Sequence, residues 1–247
     1  MMNDEAHIKT ILKISNLKKR FGDNEVLKGF DMVLKEGENL VIMGKSGSGK
    51  SVMIKCLMGL MVPDSGDIEI MGKKVLELEQ ADLDQLRKKI GFLFQGSALY
   101  DSMTVRENLE FPLRKQRMPQ EEKDKLVHQA LESVGLLDTV NLLPNELSGG
   151  MKRRIALARA VILHPKIIIY DEPTTGLDPI TAKEIVQLMR DIQKIYGSSA
   201  LIITHDVDCS RVIADRMVLL IDGINYAEGS FKDLSTSTDA KIQAFFK

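Results

Sequence analysis

The chain is 247 residues long, with 44% hydrophobic and 28% charged residues, the make-up of a globular α/β protein with ample chain for a large core. Lys and Arg number 34 against 35 Asp and Glu, a net charge of -1 that argues against a dedicated nucleic-acid binder. The longest apolar run, Met217 to Ile221, is far short of a membrane span of roughly 20 residues. The start, MMNDEAHIKT, lacks the apolar core of an export signal, so the expected location is the cytosol. Cys56 and Cys209 stand apart with no CxxC partner and read as reduced, buried thiols.

In chain order, Ile11–Leu17, Phe30–Leu34 and Leu40–Met43 read as strands, with a turn at Glu36-Gly37. A helix is expected from Lys50, a turn at Asp64-Ser65-Gly66, and strands over Asp67–Met71 and Ile90–Phe94. From Thr104 to about Leu143 apolar residues recur at helical spacing (Val105, Leu109, Leu113, then Leu126, Ala130, Leu131, Val134), which predicts a helical insertion. Strands return at Ile167–Tyr170, Ala200–Ile203, Val218–Ile221 and Ile224–Ala227. Ile167-Ile168-Ile169 and Leu201-Ile202-Ile203 are apolar on both faces, which suits a central parallel sheet covered by helices.

Gly44-Lys45-Ser46-Gly47-Ser48-Gly49-Lys50-Ser51 matches G-x-x-x-x-G-K-[ST] in full, between an expected strand and an expected helix. Glycines let backbone N–H groups turn inward around an anion, and the helix that follows aims its positive end at phosphates. Lys50 would reach the β- and γ-phosphates and Ser51 would ligate Mg²⁺. Farther on, the apolar strand ending at Tyr170 runs into Asp171 and Glu172, carboxylates suited to Mg²⁺ and to polarising an attacking water. Leu147-Ser148-Gly149-Gly150-Met151 precedes a strong helix former, with Ser148 as a natural N-cap and two glycines that leave the first N–H groups open.

Ser148 lies 98 residues after Lys50 and 23 before Asp171, and with these motifs the whole chain resembles the ATP-binding-cassette (ABC) ATPases. The resemblance implies an α/β P-loop ATPase core with a mixed or parallel sheet, an N-terminal antiparallel β subdomain and a helical signature subdomain. It divides one nucleotide-binding domain, 1–247, into a core of about 8–94 and 165–235, a helical subdomain of about 95–164 and a tail of about 236–247. The implied chemistry is hydrolysis of ATP with Mg²⁺ at two sites shared by a homodimer, driving separate membrane permease chains from the cytoplasmic face. Ser148, Gly149 and Gly150 would bind the γ-phosphate held by the partner's P-loop. Gln95 resembles the glutamine that touches Mg²⁺ and the attacking water, and His205 the switch histidine at the γ-phosphate. Gly176-Leu177-Asp178 resembles the loop along the dimer interface, which places Asp178 among the ATP-binding residues, and Phe21 resembles the aromatic that stacks on adenine. His7, His128 and His164 match nothing and read as surface or packing residues.

Met151 departs from the common LSGGQ and replaces a hydrogen-bonding amide with a thioether. LSGGM, the stretch from Gln95 to Val105 and Phe111-Pro112-Leu113-Arg114 are similar to the ATPases of Mla-type phospholipid transporters, which implies an Mce-domain partner. An importer or exporter of another substrate, or an ABC ATPase outside transport, stays open as the alternative. Gln95 to about Arg114, with apolar Leu99, Tyr100 and Met103, is the expected docking surface for the permease. The basic cluster Lys152, Arg153, Arg154 and Arg159 reads as a solvated or interface face.

Overall fold

The computed structural model describes residues 9–246. Its elements run β1 (Thr10–Phe21), β2 (Asn24–Lys35), β3 (Asn39–Met43), α1 (Lys50–Leu57), β4 (Ser65–Ile70), β5 (Lys73–Lys74), α2 (Gln80–Arg87) and β6 (Ile90–Leu93). Then come α3 (Val105–Glu110), α4 (Gln120–Ser133), α5 (Gly149–Val161), β7 (Ile167–Asp171), α6 (Pro179–Tyr196), β8 (Ser199–Thr204) and α7 (Val207–Ile213). The chain closes with β9 (Arg216–Ile221), β10 (Ile224–Gly229), α8 (Phe231–Ser235) and α9 (Ala240–Gln243). No helix among the described residues is long and apolar enough to cross a membrane.

The fold class is α/β, and the residues fall into two compact units. One runs to Gln85 and resumes at Ala214. Within it β2-β1-β4-β5 form an antiparallel sheet, while β9 pairs parallel with β3 and antiparallel with β10, a mixed arrangement. The first hairpin is longer than its sequence suggests, because β1 continues through Lys18-Lys19-Arg20 to Phe21. Those polar residues carry no apolar signal, but their main chain pairs with Glu25–Lys28 all the same. Arg216 links two strand systems of this unit: it pairs with Glu38 at 2.7 Å and with Glu228, and donates to the Val33 carbonyl. Glu38 beside it raises the guanidinium's pKa further, and the pair is largely shielded from water.

The other unit spans Leu86–Ile213. Here β6, β7 and β8 run parallel, with Ile167 opposite Ile90 on one side and Ser199 on the other. Every residue of β8 is buried, as are Ile167–Tyr170, so both faces of these strands are covered. The same unit holds α3 and α4, which lie in the stretch from Thr104 to about Leu143 read as helical, and α5, which follows it. Strand β6 stops at Leu93; Phe94, expected within it, is half-exposed, with its ring centroid 4.2 Å from that of Phe92.

Candidate functional site

The P-loop follows β3, a strand buried at all five positions, and leads into α1 at Lys50. Two glycines show why the loop has this composition. Gly49 has φ +105, and a Cβ there would lie 3.0 Å from Leu27 Cδ2 and 3.2 Å from the Val26 carbonyl. A Cβ on Gly44 would lie 2.5 Å from Ser48 Oγ and 2.9 Å from the Leu220 carbonyl. At Gly44 a larger residue must displace the Leu220 main chain, and at Gly49 it would be strained by its left-handed φ and tight against Val26 and Leu27. Lys50 Nζ donates to the carbonyls of Gly44 at 2.5 Å and Lys45 at 3.0 Å, which seats the ammonium on the loop itself. Ser48 Oγ is buried without a protein partner, a polar atom that a phosphate oxygen would satisfy. A cavity of about 600 Å³, within the size range of ligand pockets, is lined by Lys45–Ser48, Val26 and Lys241 among others. Phe21 belongs to the same hairpin as Val26 but is not part of the cavity wall; its ring is half-exposed, with Lys19 Nζ 5.7 Å from its centroid.

In the other unit β7 ends at Asp171, half-buried, and Glu172 follows with φ +50, a left-handed conformation that a glutamate rarely adopts. The strain is held from several sides. Glu172 N–H donates to the Ile203 carbonyl at 2.8 Å, and its buried carboxylate accepts from Thr175 Oγ1 at 3.2 Å and Thr204 Oγ1 at 3.4 Å. His205 Nδ1 lies 2.9 Å from the same carboxylate, while the imidazole itself is largely exposed. The structure therefore brings Glu172 and His205 together. Gln95 is exposed on the turn after β6. Cys209 is buried beneath this region: desolvation first, then Asp206 and Glu172, pushes its thiol up to about 12. Both Cys56 and Cys209 are free and buried, as their spacing suggests.

Helix α5 begins at Gly149, with Ser148 as N-cap accepting from Met151 N–H at 3.2 Å. Gly149 has open space where a Cβ would go, whereas one on Gly150 would lie 2.8 Å from Thr181 Cγ2. Asp178 caps α6: its carboxylate accepts from Ile180 N–H and Thr181 N–H, both at 3.0 Å, and from the Thr181 hydroxyl at 2.5 Å. Those bonds, led by the Thr181 hydroxyl, hold its pKa below the usual carboxylate range. Both Asp178 oxygens are thus engaged within the turn. His128 and His164 are exposed, the latter edge-on to Tyr196 at 5.2 Å, and His7 lies outside the described residues.

Within the basic cluster on α5, read as a solvated or interface face, Arg153 and Arg159 turn inward, while Lys152 and Arg154 stay partly exposed. Arg153 is only 3% exposed and Arg159 half-buried, because helical spacing places Arg153 with Leu157, Ala160 and Val161 on the apolar side. Arg159 donates to the carbonyls of Ser97 at 3.0 Å and Ala98 at 2.8 Å, and Arg153 to those of Phe94 and Thr175. They secure a turn in which Gly96, Ser97 and Ala98 all have positive φ. Asn108, fully buried, completes it by accepting from Tyr100 N–H and donating to the Tyr100, Met103 and Thr104 carbonyls. Sequence reading missed Arg153, Asn108 and Thr175. For Arg153 a signal existed: a charge in phase with the apolar stripe of a helix.

A model of the ABC transporter family matches residues 27–175. The chain belongs to the ABC transporter family. Its fold is that of the ATP-binding cassette and its enzyme class is ATPase. The chain is 38% identical over 232 residues to the methionine import ATP-binding protein MetN of Rhizobium johnstonii, covering 94% of this chain and 64% of that relative's length. It is 37% identical to the protein of the same description from Clostridium tetani, over 94% of this chain and 73% of the relative. Among solved structures, cbiO1 of Clostridium perfringens, part of an ABC transporter complex, gives a TM-score of 0.85 at 32% identity, covering 91% of this chain and 90% of its own. The dimeric, post-hydrolysis ATP-binding cassette MJ0796 bound to ADP and Pi gives 0.79 at 35% identity, covering 89% and 98%. These relatives narrow the subgroup expectation. They are importer ATPases and cassettes, so they back the alternative of another transported substrate better than phospholipid, and lend no support to an Mce-domain partner.

Proposed function

We propose that this cassette hydrolyses ATP as the motor subunit of an importer, paired with a second copy around two ATP and driving a separate permease from the cytoplasmic face of the membrane. The observation that carries importer over other transporters is the match, across 94% of the chain, to methionine import ATPases. Methionine or a similar amino acid is the cargo this supports. Glu172 is the base that orients the attacking water and takes its proton, and the hydrogen bonds that fix its carboxylate suit it to that task. His205 holds Glu172 and meets the γ-phosphate. The P-loop, Gly44–Ser51, takes the phosphates of ATP, with the buried Ser48 hydroxyl as one unfilled donor; Phe21 stacks on adenine. Ser148, Gly149 and Gly150 present N–H groups to the partner's ATP, and Asp178 acts there through the turn it caps.

The residues assigned to Mg²⁺, Ser51, Gln95 and Asp171, all offer oxygen, the donor type a hard cation takes. Mg²⁺ there would neutralise charge on the phosphates. The single nucleotide-binding domain 1–247 contains a core and a helical subdomain of about 95–164, whose exposed aromatic pair, Tyr100 and Phe111 with centroids 4.6 Å apart, faces the permease. Arg114 lies over Phe111 at 4.9 Å and extends that surface.

The test is uptake into vesicles holding the chain with its cognate permease. ATP-driven accumulation of labelled methionine, with no movement of labelled phospholipid between leaflets or to acceptor vesicles, is the expected outcome. Phospholipid transfer without amino-acid uptake would return the assignment to the lipid transporters.

A further inference from the structure

Arg153 is a buried cation whose bonds are to carbonyls. Its Nη1 donates to the Phe94 carbonyl and its Nη2 to the Thr175 carbonyl, each at 3.2 Å, while Nε is buried without a partner. Desolvation pulls its pKa down, so the charge is held in this place at a cost. A leucine or methionine would fill a similar volume without that cost but could not bond the two carbonyls.

Phe94 immediately precedes Gln95, and its carbonyl also accepts from Ser97 N–H at 3.1 Å, closing the positive-φ turn. Thr175 donates its hydroxyl to Glu172 Oε2 at 3.2 Å and its N–H to the Glu172 carbonyl at 3.3 Å. One guanidinium on the second turn of α5 thus reaches both the residue before Gln95 and the residue that steadies Glu172. We propose that Arg153 is a positioning residue that ties the signature helix to the Gln95 turn and, through the Thr175 hydroxyl, to the Glu172 carboxylate. A shift of α5 when Ser148–Gly150 engage nucleotide then reaches the groups that act on the attacking water. This inference rests on the reading of Glu172 as the base.

The experiment compares steady-state ATP hydrolysis and equilibrium binding of a fluorescent ATP analogue in the full-length protein within its permease complex. Arg153→Met keeps the stem and removes the fork; Thr175→Val removes the hydroxyl and keeps the carbonyl. Both are expected to lower kcat by about ten- to a hundredfold, the scale of a small misplacement of reacting groups, with KM and Kd for nucleotide within about twofold of wild type. Thr175→Ser should restore wild-type turnover, and Arg153→Lys, which reaches one carbonyl, should lie between. The double variant Arg153→Met/Thr175→Val should be no slower than the slower single one, because both cut the same chain of bonds.

Wild-type kcat in Thr175→Val overturns the inference, as do losses that multiply in the double variant or a fall in nucleotide affinity parallel to kcat. If Arg153→Met fails to fold, the Val and Ser variants at Thr175 decide. Glu172→Gln, run alongside, separates the two claims. An active Gln protein removes the base and this inference with it; an inactive one beside fully active Arg153→Met and Thr175→Val proteins removes the inference alone.

Discussion

Two helix N-termini in this chain are built from glycine and serine, and they differ in how complete they are. At α1 the loop is enclosed: Gly49 is pressed against Val26 and Leu27, Gly44 against Ser48 and Leu220, and the Lys50 ammonium sits on loop carbonyls. At α5 the start is open: Ser148 and Gly149 are exposed, and a Cβ on Gly149 would meet nothing. The first cradle needs its glycines for its own fold. The second gains nothing for the fold from Gly149, which leaves that helix end open to the partner's nucleotide proposed above. That contrast is what a nucleotide held by one copy and closed by another would leave in a single chain.

Alanine substitutions test it. Gly49→Ala should cost about 1–3 kcal/mol of stability, through left-handed backbone strain and contact with Val26, and should weaken ATP binding; thermal melting and calorimetry read both effects. Gly149→Ala should leave stability within about 1 kcal/mol of wild type and ATP affinity of the lone chain unchanged, while reducing ATP-dependent pairing measured by light scattering. Equal destabilisation by the two would erase the distinction.

How legible each part was in the sequence follows the same division. The P-loop is contiguous, and its function depends on backbone conformations that Gly-x-x-x-x-Gly-Lys-Ser spells out locally, so the motif alone located the strand, the loop and the helix start. The strands Ile167–Asp171 and Ser199–Thr204 announced themselves by being apolar on both faces. The polar half of β1 did not, since main-chain pairing there owes nothing to hydrophobic pattern. Nor did the set around Glu172: Thr175, the adjacent pair Thr204 and His205, and Arg153 converge from three segments, and only tertiary packing brings the Thr204 hydroxyl and the His205 imidazole beside the Glu172 carboxylate. A run of basic residues suggests a solvated or interface face, yet the helical phase of Arg153 carries it into the apolar side of α5. The cargo is least legible, since no residue of a motor subunit need touch it.

In the proposed mechanism Glu172 performs hydrolysis within an ATP-closed pair of chains. Glu172→Gln keeps the shape of the side chain and removes its capacity to take a proton, so nucleotide binding should persist while turnover falls by about a hundredfold or more. Sedimentation velocity of this variant with Mg²⁺ and ATP is the most direct measurement. A shift from monomer to a stable dimer carrying two ATP, absent with ADP, is the predicted result; a monomer at saturating ATP, or a dimer that turns over ATP at the wild-type rate, would contradict it.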